Sequence, residues 1–392
     1  MTAPVVYDPY AYEIHADPYP TYKRLRDEAP AYYNSTLDFW SLSRFQDLYD
    51  ALHDWQTYSS VGGVTLERGS GHAPPMIIAM DPPRQAKLRK LVSSVFTPRR
   101  VATMEPQVRA LTTKHLIPLA GRGAGDFIDE FAGKLPMDVI STMLGVPAED
   151  QDMLRGWSDA LLHREPGSGA VPRAGMEGAA NIVRYFAGEL ARRRRQPGDD
   201  LVSGLIAADI DGEHLSDDEI LGFCFLLIIA GNETTTKLLG NAMVLLAKHS
   251  DQRALLVRAP GRIADAVQEV LRFDTSTQML ARVLTRDVTL HGRTMSRGKK
   301  VLLLIGSGNR DERAFERPDV FDITRPSQQH LAFGFGIHVC LGASLARLEG
   351  RVALEEILAR LPDYEVDTAG LVRVHSANIR GYAHVPIRFT PR

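Results

Sequence analysis

The sequence predicts a mainly α-helical protein with small β-sheets, organised as one large unit over residues 1–392. Three observations carry this reading. An apolar run beginning at Ile220 has no polar face for almost three turns, so it reads as a helix surrounded by protein. Residues 101–210 are dominated by helical patterning with few breaks. Short apolar runs, "ARVLTRDVTLHG" and "KKVLLLIGSGNRD", sit among turn residues and read as small strands.

In chain order, "YPTYKRLRDEAP" predicts an amphipathic helix ending near Pro30, and "FWSLSRFQDLYDALHD" a strand leading into a helix, which together suggest a mixed amino-terminal region. Residues 59–83, rich in Gly and Pro and including "MIIAM", read as a long ordered loop of the kind that contributes binding surface. "DPPRQAKLRKLVSSVFTP" reads as a helix carrying a basic stripe of Arg84, Lys87, Arg89 and Lys90. A polar break, "REPGSGAVPRAG" at 164–175, separates two helices. "RRRRQPGDD" from Arg192 reads as a basic helix end that suits its terminal carbonyls. Ser216 and Glu219 in "SDDE" form a capping-box pattern at the start of the apolar helix. "GRIADAVQEVLRF" supplies another amphipathic helix, a last one begins close to Cys340, and the tail "YAHVPIRFT" suits a closing strand.

An apolar fraction of 44% in 392 residues supports a large core, while the net charge of −2 with mixed signs lacks the basic footprint of a nucleic-acid binder. Two cysteines are too few for a disulfide scaffold, the apolar run is too short to span a membrane, and no signal peptide opens the chain, so a cytoplasmic protein without a membrane anchor is expected.

Cys224 lies inside the apolar helix and reads as a core residue. Cys340 sits among Gly334, Gly336 and Gly342, just before a helix whose positive end would favour thiolate. A nucleophile would need a nearby base, and His338, two residues away, is the one candidate of that chemistry in the segment. A zinc site would need more ligands. An axial thiolate on haem needs one cysteine and matches the count best. His249, His291 and His330 lie in separate segments and suggest no rival metal group, and the glycines do not make a dinucleotide signature, so no built-in flavin or nicotinamide domain is expected.

The stretch "FGFGIHVCLG", Phe333 to Gly342, resembles the haem-binding signature of the cytochrome P450 family. "AGNETT" at Ala230–Thr235, "EVLR" at Glu269–Arg272 and "NRDERAFERPDVFDITR" at Asn309–Arg325 resemble further elements of that family, so the resemblance spans nearly the whole chain. It implies the family's fold and a monooxygenase of the soluble bacterial type, which uses haem b and O2 to place one oxygen atom in a hydrophobic substrate, most simply as hydroxylation. Alternatives from the same ligand are a haem-thiolate sensor or carrier and a peroxide-driven oxidase or decarboxylase.

The resemblance also implies residue roles. Cys340 is the iron ligand, with Phe333, Gly334, Gly336 and Gly342 shaping its loop. Arg89, Arg282 and His338 face the haem propionates, and Gln85 replaces the family's usual histidine there, giving a weaker neutral contact or none. Glu269 and Arg272 form a buried triad with Arg325 on the haem side. Gly231 relaxes the distal helix while Glu233 and Thr234 handle protons and oxygen. Electrons are expected from NAD(P)H through a ferredoxin or flavodoxin and its reductase, steered by Arg84, Lys87 and Lys90, and the chain is expected to act as a monomer. Residues 61–80, 161–176, 226–230 and 275–280 are expected to line or cover the distal cavity.

Overall fold

The strongest signal in the sequence becomes the longest helix, Asp217–Lys248. Ser216 Oγ accepts the Glu219 amide and the Glu219 carboxylate accepts the Ser216 amide, closing the reciprocal cap that the "SDDE" spacing requires. Most side chains of this core helix are buried, as a helix with so long an apolar run demands. Leu135–Leu144, Gln151–Leu162, Arg173–Arg195, Ile263–Phe273 and Ala343–Arg360 all pack against it. The computed structural model describes residues 3–67, 74–93, 95–163, 165, 170–210, 212–326 and 329–390.

The strand-like runs assemble a five-stranded sheet in the order Ala31–Asn34, Phe39–Leu42, Lys300–Leu303, Leu280–Leu284, Tyr58–Ser59. Lys300–Leu303 runs parallel to Phe39–Leu42 and antiparallel to Leu280–Leu284, with Val301 opposite both Trp40 and Arg282. This register carries Arg282 into a buried position at the centre of the sheet. The predicted closing strand is two strands, Tyr382–His384 and Pro386–Arg388. The first pairs with Val372–Arg373 and the second lies between Glu365–Val366 and Ala124–Asp126, so the chain changes sheets at Val385.

The expected loop after Ser59 is largely irregular, with one short turn of helix at Ile77–Ala79, and residues 68–73 of it lie outside the described residues. It is pressed onto the core helix at Gly222, where a Cβ would stand 2.0 Å from the Pro75 carbonyl oxygen. The polar break falls between the helices Gln151–Leu162 and Arg173–Arg195, and residues 164 and 166–169 of that stretch lie outside the described residues. At the basic helix end Arg193 is buried, bonded to Asp200 and to the Gly145 carbonyl, so one of the four arginines is a clamp between segments.

Candidate functional site

The loop ahead of Cys340 is built by glycine where glycine is required. Gly334 and Gly336 have φ of +64° and +67°, and a Cβ on Gly336 would lie 2.5 Å from the Leu52 carbonyl oxygen. The Cys340 amide donates to the Phe333 carbonyl at 2.8 Å, closing the turn, and the following helix starts at Ala343. Gly342 has an ordinary φ of −82° and no protein atom near its missing side chain, so the expected close backbone approach holds at Gly336 and not at Gly342. The Arg347 guanidinium lies 4.4 Å over the Phe333 ring, an arginine that the sequence reading passed over.

Cys340 is crowded by protein, yet its side chain is reached by a water-sized sphere, so its exposed surface faces internal space. Burial pushes its thiol pKa up, and the Gly342 amide with the charges of Arg89 and Arg347 only partly offsets this. The expectation that the setting alone favours thiolate is therefore corrected: enclosure outweighs the helix end. Cys224 matches its expected core role, fully buried with its pKa pushed up to about 12 by desolvation.

Beside the loop stands an excess of cations. Arg282 is buried, donates to the Ala281 carbonyl and has no ion-pair partner among the described residues, and burial lowers its pKa to about 10 against the opposing field of Asp81. His338 has a buried Nε2 without a partner, and its pKa is pushed down to about 4 by burial, then by Arg282 and Arg89. Arg89 donates to the Val339 carbonyl and is itself partly desolvated. Two desolvated guanidiniums, one carboxylate and an unsatisfied imidazole nitrogen call for an anion. The residues thus fit a haem, with an iron for Cys340 and two carboxylates for this cluster. Gln85 is buried and donates from Nε2 to the Ile337 carbonyl at 2.8 Å, so its amide serves the loop backbone.

In the core helix the exposed or half-buried positions Leu226, Ala230 and Thr234 recur every fourth residue, so one line of an otherwise buried helix faces open space. Thr234 Oγ1 bonds back to the Ala230 carbonyl at 2.9 Å. Gly231 does not relax the helix, which remains α-helical throughout; its bare face meets Ile140 at ordinary contact distance and nothing wedges into the turn. Glu233 is buried and pairs with Lys237 at 3.1 Å, one turn on. Desolvation and then the charge of Glu233 push up the pKa of Asp159, on the facing helix Gln151–Leu162. Neither partner was singled out in the sequence: the i,i+4 spacing of Glu233 and Lys237 was a usable signal, whereas nothing local marks Asp159.

Glu269 and Arg272 form a bidentate pair at 2.8 Å, both buried, and Arg325 Nε lies 3.3 Å from the same carboxylate. Arg272 also donates to the carbonyls of Asn309 and Pro318, and Arg325 to those of Glu316 and Val320, so the three residues knit the segment 309–325 to the helix Ile263–Phe273.

The basic stripe is less free than its sequence suggested. Arg84 pairs with Glu219 at 2.6 Å and with Glu213, and Lys87 pairs with Glu213 as well. Lys90, Arg99 and Arg100 are exposed and in no ion pair among the described residues. His249 stacks near Phe321, His291 pairs with Asp47, and His330 is buried beside Gln268, in keeping with structural roles. Asp126, Asp129 and His384 bring ligand atoms within 4.8 Å of one another at the surface, where His384 is already paired with both carboxylates. No helix among the described residues is long and apolar enough to cross a membrane.

The sequence profile of the cytochrome P450 family matches residues 263–373. "Putative cytochrome P450 123" of Mycobacterium tuberculosis is 48% identical over 99% of this chain and 98% of its own. The "Vitamin D(3) 25-hydroxylase" of Pseudonocardia autotrophica is 38% identical over 96% and 94%. Among solved structures, CYP109E1 from Bacillus megaterium in complex with testosterone superposes with a TM-score of 0.90 at 32% identity, covering 96% of this chain and 99% of that one.

Proposed function

Since the chain belongs to the cytochrome P450 family, a family of haem-dependent monooxygenases, we propose that it hydroxylates a hydrophobic polycyclic substrate at a haem held by Cys340. The observation that carries the assignment of the site is the pairing of an accessible, enclosed Cys340 with a cluster, Arg282, His338 and Arg89, whose charges and polar atoms lack an anion. When bound, haem supplies reductive activation of O2, one atom entering a C–H bond and the other leaving as water.

The protein's own residues then have separable tasks. Cys340 holds the iron, and Gln85, Arg89 and Gly336 hold the Cys340 loop. Arg282 and His338 take the propionates. The line Leu226, Ala230, Thr234 forms the apolar wall against which substrate lies, with Met76, Ile77 and Met80 covering it from the loop seated at Gly222. Thr234 Oγ1 holds a proton at that wall and Glu233 replaces it; proton transfer needs hydrogen-bond reach, directly or through one water. The Glu269–Arg272–Arg325 triad positions the segment that leads to the Cys340 loop and touches no substrate.

Electrons reach the haem from NAD(P)H through a ferredoxin or flavodoxin and its reductase. Of the expected steering residues, Lys90 remains free, and Arg99 and Arg100 join it in place of the ion-paired Arg84 and Lys87. A polycyclic substrate follows from what two similar proteins are named for, a vitamin D3 hydroxylase and a testosterone complex.

The test is an absorbance titration of the purified ferric protein against steroids, secosteroids, fatty acids, terpenes and macrolides, followed by product analysis with a surrogate ferredoxin and reductase. A saturable spin-state shift with a steroid or secosteroid and an oxygenated product supports the proposal. Turnover of only acyclic substrates removes the polycyclic class, and product formed with peroxide alone but not with the redox chain favours the peroxide-driven reading. A ferrous carbon monoxide spectrum unchanged in Cys340→His would remove the ligand assignment.

A further inference from the structure

We propose that the cleft between the helix Phe45–His53 and the hairpin of Val288–Leu290 and Arg293–Met295 binds a small aliphatic amine with two or more positive charges. The site lies outside the residues assigned above to haem and substrate. Asp47, Asp50 and Asp54 fall at i, i+3 and i+7, which sets them on one face of the helix and its carboxy-terminal cap. Like charges so spaced weaken a helix. All three line the cleft, and Asp287 adds a fourth carboxylate from the hairpin side.

Few cations answer these charges. Asp47 pairs with His291 at 2.7 Å, and Asp54 pairs at 3.4 Å with Arg286, whose side chain is 71% exposed. Asp50 accepts from the Gln46 side-chain amide and Asp287 from the Arg297 backbone amide, and neither is in an ion pair among the described residues. Tyr58 is a second, independent sign of a ligand. It lines the cleft and is only 6% exposed, yet its hydroxyl has no hydrogen-bond partner among the described residues. That hydroxyl faces the acidic stripe: after desolvation, the charges of Asp54, Asp47 and Asp50 push its pKa up to about 12, against the pull of Arg286. Thr57, also on the lining, has a buried Oγ1 without a partner. Enclosed polar groups left unpaired are costly, and a ligand that satisfies them removes that cost.

The shape selects an organic cation over a metal ion. No three of the four carboxylates bring ligand atoms within 4.8 Å of one another, as a bare metal ion would need. The cleft holds about 340 Å³, far more than one ion fills and enough for a small molecule. Separated anions suit separated ammonium groups, and Ala51, Val288 and Leu290 supply apolar wall for the methylene chain between them. An ammonium only donates, and the carboxylates and the Tyr58 hydroxyl can all accept. One ammonium joins Asp54 to the Tyr58 hydroxyl in place of Arg286, whose exposed pair is weakly held, and a second reaches Asp50.

The experiment is a calorimetric titration of the holoprotein with spermidine at fixed ionic strength, set beside butylamine, Mg2+ and trilysine. Spermidine is expected to bind at one site, more tightly than butylamine, and to resist displacement by equimolar Mg2+. Asp50→Asn is expected to weaken it about tenfold, and Tyr58→Phe, which keeps the ring in the core, to weaken it several-fold. Arg286→Ala is expected to tighten it, a direction that damaged folding does not produce. No saturable heat with spermidine, equal affinity in Asp50→Asn and the parent, or displacement by equimolar Mg2+ overturns the proposal. Binding of trilysine without binding of the free amines overturns it as well and assigns the cleft to a basic protein segment.

Discussion

The Gln85 side-chain amide donates to the Ile337 carbonyl at 2.8 Å, tying the helix Arg84–Ser93 to the turn that precedes Cys340. The bond is partly buried, with Gln85 itself enclosed, so its loss strands a half-buried carbonyl oxygen. Gln85→Leu is expected to lower unfolding stability by about 1–3 kcal/mol and to weaken haem retention, read by urea denaturation and by haem content after gel filtration. Stability and haem content equal to the parent would show that the loop holds its shape without this tie.

Glu269 is gripped by Arg272 and Arg325 inside the protein. Removing its charge leaves two desolvated guanidiniums without a carboxylate. Glu269→Gln is expected to cost about 3–5 kcal/mol, measured on the haem-free protein so that folding is separated from cofactor binding. A loss below about 1 kcal/mol would mean that the backbone carbonyls alone satisfy both arginines.

Glu349 is buried in the helix Ala343–Arg360 with Oε2 unpartnered, and desolvation pushes its pKa up to about 8. The folded state therefore holds a proton that the unfolded chain releases near pH 4.5. Its contribution is full below that value and is lost as pH rises toward 8, at about 1.4 kcal/mol per pH unit at most. Glu349→Gln is expected to match the parent at pH 5 and to exceed it in urea resistance at pH 8. A stability difference between the two proteins that stays constant over this window would contradict the assignment.

Gly222 receives the Pro75 carbonyl in the wall of the core helix. Gly222→Ala must push the loop outward, because the contact atom is backbone and cannot rotate away. The expected cost is about 1–3 kcal/mol in stability, together with a changed spin-shift affinity for substrates and an unchanged carbon monoxide spectrum. An unaltered affinity profile would mean that Met76–Met80 do not shape the cavity.

Legibility in the sequence followed the range of the physics involved. The Ser216 cap, the apolar helix behind it and the helix start after Cys340 depend on neighbours in sequence, and the structure has each where its residues call for it. The spacing of Glu269 and Arg272 announced a pair one turn apart, but its burial and its third member, Arg325, came through the family resemblance alone. The tie from Gln85 to the loop was not legible, because its partner is a backbone carbonyl 252 positions away, which no side-chain pattern announces. Gly231 was expected to loosen a helix that stays regular, since a glycine permits a distortion without causing one.

Glu219 caps the core helix and at the same time binds Arg84, the first residue of the helix that carries Gln85 and Arg89 to the Cys340 loop. One carboxylate thus joins the core helix to the helix that braces the Cys340 loop. Loss of that carboxylate is expected to fray the start of the core helix and to slacken the brace on the Cys340 loop together.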